Sequence, residues 1–124
     1  MKFFSLDKTE GVPFPMLNSV NYMCAYNEDI TLMKASFAKG DTVAPHHSHR
    51  HTQFTHILKG SAQYVDGDGK KGPVLHAGDT ACIEPYEKHS LIILEDDTWV
   101  FDIFNPGKIE LADNFGPKAG RLEF

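Results

Sequence analysis

The 124-residue sequence predicts an all-β fold, a sandwich or barrel built as one domain. Three observations predict it. Short β-prone runs recur at regular spacing, each closed by turn residues. No stretch of ten or more residues in the main body carries a helical apolar period. The chain is also long enough to bury one core without disulfide or metal staples.

In chain order, Gly11, Pro13 and Pro15 exclude a long helix over residues 1–19 and predict an extended lead-in. Asn21–Tyr26 is the first strand candidate, closed by Asn27-Glu28-Asp29, and Ile30–Ala38 is the second, closed by Lys39-Gly40-Asp41. Phe54–Lys59 runs to Gly60, and Ala62–Val65 enters Asp66-Gly67-Asp68-Gly69, a hairpin signal because Gly and Asp tolerate positive φ. Pro73–His76, Thr80–Ile83, His89–Leu94 and Thr98–Phe104 follow, each ended by Gly, Pro or Asp. The barrel core is thus expected over about 20–105, with a tail over 106–124 that wraps the surface.

Composition narrows the partners. Net charge is −5 and no block of Lys or Arg forms a stripe, so nucleic acid and anionic membrane are poor partners. Met1–Asp7 reaches an acid too early for a signal peptide, and no apolar run is long enough to span a bilayer. Cys24 and Cys82 lack C-x-x-C spacing and read as free thiols. A cytoplasmic protein is expected. Ser90–Leu94 and Trp99–Phe104 are apolar on both faces, which a strand covered on one side would not be. A homodimer packed through sheet faces accounts for this, with a thick monomeric core as the alternative.

The chemistry concentrates in Pro45–Gln53, which holds four of the seven histidines. Imidazoles repel as cations and pack poorly when neutral, so a bound transition metal is the usual reason to gather them. Two glycine-bracketed segments extend the pattern. Gly40, His47-Ser48-His49, Gln53 and Gly60 form the first, and Gly78-Asp79, Pro85 and His89 the second. Together they resemble the two cupin motifs, G…HxH…E…G and GD…P…H. The resemblance covers about residues 30–105 and implies a cupin-type jelly-roll β-barrel.

Spacing bears on the ligands. Side chains at i and i+2 share a strand face, so His47 and His49 can grip one ion. Fully extended, His47 to Gln53 would span about 20 Å, so the chain must fold back near Arg50–Thr52. Gln53 then starts the returning strand, and His89 reaches the ion from another. The expected ligands of one divalent transition metal (Ni, Zn, Mn or Fe(II)) are His47, His49, Gln53 and His89. His46 is out of phase and would replace His47 only in a shifted register. His51 is expected behind the ligands or at the surface, His56 facing away and His76 exposed. A metal-free barrel is disfavoured because buried, unpaired imidazoles are costly. Gln53 stands where the broad cupin pattern has glutamate. With only neutral ligands the ion keeps its full charge, which favours a small anionic substrate over redox chemistry.

The run His47–Gln53, then Ala77-Gly78-Asp79, Pro85–His89 and Phe101–Lys108, is similar to the small bacterial cupins of the KdgF type. Those linearise 4,5-unsaturated uronates from pectin and alginate breakdown, using three His and a Gln for the metal. The resemblance implies an isomerase with Asp102 as general acid–base and Phe104 beside it on the same strand face. Lys108 stands where the family has arginine, and Thr55 where it has glutamine. Both would contact the sugar-derived substrate, Lys108 without the bidentate fork of arginine. Two alternatives stay open: another cupin enzyme, a dioxygenase or a lyase of a small anion, and a non-enzymatic cupin that binds a sugar or small anion.

Overall fold

Burial follows the period of a strand. Along β4 (Thr31–Phe37) and β11 (Thr98–Asn105), buried and half-buried residues alternate through seven positions. Such alternation requires one face on a core and the other turned outward. The computed structural model describes residues 1, 3–8, 12–13, 21–107 and 121–122, with the backbone alone at 8, 12–13, 21, 44–47 and 121–122.

The remaining described strands are β1 (Phe3–Phe4), β2 (Val12–Pro13), β3 (Asn21–Tyr26), β5 (Thr42–His47), β6 (Thr52–Lys59), β7 (Ser61–Asp66), β8 (Lys71–His76), β9 (Thr80–Ile83), β10 (His89–Ile93) and β12 (Arg121–Leu122). Among the described strands, six form a sheet in the order β2-β3-β4-β11-β6-β9, and four form a second in the order β5-β10-β7-β8. Every pairing is antiparallel, and the arrangement is an all-β jelly roll. β1 pairs with β12, so the described part of the tail lies against the start of the chain. Among the described residues no helix is long and apolar enough to cross a membrane.

Inward residues of both sheets meet in one core, where Tyr22, Ile57, Ile93 and Val100 are fully or almost fully buried. Outward residues are more apolar than a solvated sheet requires: Phe54 and Leu58 on β6 are exposed, and Phe101 and Ile103 on β11 are half-buried.

One element departs from the sequence expectation. Thr42–His47 forms a strand that the β-prone runs did not mark, and it ends at His47. His49 therefore lies beyond the strand, and strand parity does not place it beside His47. The physical reason is topological. β5 belongs to the four-stranded sheet and β6 to the six-stranded one, so residues 48–51 must cross between sheets.

At the turn into β7, Gly60 has φ +84°, and a Cβ there would lie 2.3 Å from Thr98 Oγ1. The left-handed backbone and the close approach both exclude a larger residue. Gly60→Ala should cost about 2–3 kcal/mol in urea denaturation. An unchanged midpoint would contradict the close approach.

Candidate metal centre

β6 and β11 are neighbours, and their register sets Thr55 opposite Asp102 and Gln53 opposite Phe104. All four are buried on the inner face of the six-stranded sheet. The facing sheet contributes His89 from the first residue of β10 and Tyr64 from β7. His49 arrives from the crossover between the sheets.

That crossover is pinned from three directions. Tyr86 N donates to the His49 carbonyl at 2.7 Å, and His51 Nδ1 donates to the Pro106 carbonyl at 2.7 Å. The His49 ring itself donates from Nδ1 to the His51 carbonyl at 3.0 Å. The His49 ring centroid then lies 4.9 Å from that of His89 and 6.0 Å from that of Phe104.

These bonds fix which atoms face inward. Carbonyl oxygens only accept, so His49 and His89 both carry their proton on Nδ1, His89 donating to the Glu87 carbonyl at 2.8 Å. In the neutral form each ring would turn its Nε2, the atom able to ligate a metal, to the side away from that carbonyl. Gln53 Nε2 is occupied on its other side, donating to Thr55 Oγ1 at 3.0 Å and Asp102 Oδ1 at 3.2 Å. Its Oε1 consequently faces His49 Nε2 at 2.9 Å. Two lone pairs this close need a proton or a cation between them. Two ligand atoms at about 2.0–2.2 Å from one ion and about 90° apart, as in an octahedral shell, would sit at such a separation. The donor set thus fits a divalent metal.

Behind Gln53 lies a chain of hydroxyls. Burial pushes the Tyr64 phenol well above its ordinary range, the Asp102 charge adds to the rise, and the Thr55 hydrogen bond opposes it. Tyr64 therefore stays protonated and donates to Thr55 Oγ1 at 2.6 Å, and Thr55 donates to Asp102 Oδ1 at 2.5 Å. Since β7 and β6 belong to different sheets, the Tyr64–Thr55 bond also ties the sheets together. Sequence reasoning passed over Tyr64. Its only signal was an aromatic hydroxyl in phase with buried Ala62.

The other candidates divide clearly. His51 is 3% exposed, and its backbone carbonyl steadies His49. His56 points outward and bonds Thr80 Oγ1 at 2.7 Å, while His76 is exposed. The backbone of His47 pairs with His89 in β5–β10, which brings the two positions together; the His46 and His47 side chains and all of Lys108 lie outside the described residues. Among the described residues no three of His, Cys, Asp or Glu converge on one point. His49 and His89 are two such groups, and Gln53 is of another type. Cys24 and Cys82 are free thiols.

A cleft of about 300 Å³ opens between β8 and β9 and reaches Tyr64 and His89. Lys70, Lys71 and Lys88 line it, together with Asp66 and Glu87.

A profile of the cupin domain matches residues 33–104, more than half of the chain, and the protein belongs to the cupin family. Among curated proteins it is similar to the pectin degradation protein KdgF of Dickeya dadantii (strain 3937), 27% identical over 85 residues, covering 68% of this chain and 76% of that protein. Among solved structures, KdgF from Halomonas sp. superposes with a TM-score of 0.77 at 23% identity, covering 88% of this chain and 98% of that one. A Bacillus subtilis oxalate decarboxylase gives a TM-score of 0.68 at 18% identity, covering 94% of this chain but 37% of that one. These superpositions establish the cupin fold.

Proposed function

We propose that this cupin is a metal-dependent enzyme of pectin and alginate breakdown that converts cyclic 4,5-unsaturated uronates into linear 5-keto uronates. The observation that carries the reading is the place of Asp102. Its carboxylate is 4% exposed and bonded to Gln53, which in turn faces His49. An acid so buried is held for chemistry or for positioning. Similarity to the pectin degradation protein KdgF supports the same substrate class.

His47, His49, Gln53 and His89 would hold the ion. When bound, a divalent metal supplies Lewis-acid polarisation of the substrate's carboxylate. Lys108 would neutralise that carboxylate, and the lysines of the neighbouring cleft give an anion a favourable approach to His89. Phe104, whose ring meets His49 edge to face, would wall the sugar ring and exclude bulk water. Thr55 is fully buried beneath Asp102 and reaches substrate only through it.

The steps balance. The Asp102 carboxylate takes a proton from a water whose oxygen bonds to C5, and gives that proton to C4, which leaves the carboxylate as it began. The hemiketal at C5 then breaks its bond to the ring oxygen, leaving a ketone. C1, now a hydrate, releases one water and becomes the aldehyde. Water in and water out cancel, and the net change is isomerisation.

The conjugated double bond absorbs in the ultraviolet and the linear product does not. Metal-loaded protein should remove that absorbance faster than the spontaneous reaction, and chelation should abolish the acceleration. Asp102→Asn should lower it at least about 100-fold. A rate unchanged with Zn, Ni, Mn and Fe(II) would eliminate the uronate reading, and full activity in Asp102→Asn would remove Asp102 from the mechanism.

The apolar outer face around Phe54, Phe101 and Ile103 supports a homodimer packed sheet to sheet. Light scattering should give twice the chain mass, and Phe54→Lys should halve it. A wild-type monomer would contradict the pairing.

A further inference from the structure

The two ends of an amide differ: the oxygen accepts and the nitrogen donates. Every group that Gln53 meets on the Asp102 side offers it an oxygen lone pair. Asp102 Oδ1 lies at 3.2 Å, Thr55 Oγ1 at 3.0 Å and Tyr64 OH at 3.4 Å from Nε2. The Thr55 and Tyr64 protons are committed elsewhere, Thr55 to Asp102 and Tyr64 to Thr55. Turned over, Gln53 would press its carbonyl oxygen against a carboxylate oxygen in a buried space, which is unfavourable. The nitrogen is therefore held toward Asp102, and the oxygen toward His49.

Only the oxygen of an amide ligates a divalent cation well, because the nitrogen lone pair is delocalised into the carbonyl. We infer that Asp102 is a positioning residue for the metal, its carboxylate dictating through Gln53 which end of the amide meets the ion. This rests on the metal reading of the cluster and is independent of the uronate reaction.

The same contact explains why residue 53 is not a glutamate. A carboxylate there would face the Asp102 carboxylate at about 3 Å with little water to screen the repulsion. Glutamine removes the clash and converts it into a donated hydrogen bond. Residues 53 and 102 thus form a coupled pair.

Binding of Zn(II) and of Mn(II), followed by calorimetry, tests the inference without any substrate. Asp102→Ala removes the acceptor and should weaken metal binding at least about tenfold. Asp102→Asn keeps an oxygen in place for Gln53 and Thr55 and should stay within about threefold. Unchanged affinity in Asp102→Ala overturns the inference. Equal losses in both variants also overturn it, since they would assign the effect to charge alone.

If Asp102→Ala does not fold, thermal melting of metal-free protein decides. At pH 8, Gln53→Glu should melt at least about 5 °C below wild type. Adding Asp102→Asn to it should recover most of the difference, and additive or further loss overturns the pairing. A uronate assay that fails while these results hold removes the reaction and leaves the positioning role intact.

Discussion

The site depends on one amide held at both ends. Gln53 gives its nitrogen to Asp102 and Thr55 and turns its oxygen to His49. Each end is fixed by groups that can play only one hydrogen-bonding role. The carboxylate accepts, and the His49 ring donates from Nδ1 to the His51 carbonyl. Beyond it, His49 Nε2 and Gln53 Oε1 lie 2.9 Å apart, a separation that calls for a proton or a cation between them. The His49 imidazole and the Asp102 carboxylate are therefore joined through a single side chain.

Strand register places that amide. β11 lies between β4 and β6, and its inward positions place Asp102 and Phe104 beside Thr55 and Gln53. A shift of one residue would turn all of them outward. Tyr64 reaches over from the facing sheet to Thr55, and His89 begins the strand that pairs with the end of β5. The crossover carrying His49 has no ladder of its own and is tied down by Tyr86 and by the His51–Pro106 bond. Rigid strands thus carry the carboxylate and the amide, while a pinned loop carries an imidazole.

Much of this was legible in the sequence because it rests on local period and turn chemistry. Asn21–Tyr26 and Thr80–Ile83 have the strand limits that their turn residues imply. Alternation along Thr98–Phe104 puts Asp102 and Phe104 on one face, where the structure has them. β5 was not legible, since Pro45 and paired histidines do not form a β-branched run. The parity that joined His47 to His49 failed at the crossover, because parity holds only while a strand continues. Tyr64 was hidden for a different reason. Its importance comes from a contact between sheets, and no spacing along the chain encodes that. Gln53 was noticed as a missing charge, but its partner Asp102 is 49 positions away and only the β6–β11 register joins them.

The most direct measurement is anomalous scattering from crystals of the metal-loaded protein at a resolution that separates amide oxygen from nitrogen. One ion is expected at about 2.0–2.3 Å from His49 Nε2, His89 Nε2 and Gln53 Oε1, with Gln53 Nε2 still on Asp102. An ion bound elsewhere, or one at this place with the amide nitrogen turned toward it, would contradict the claim.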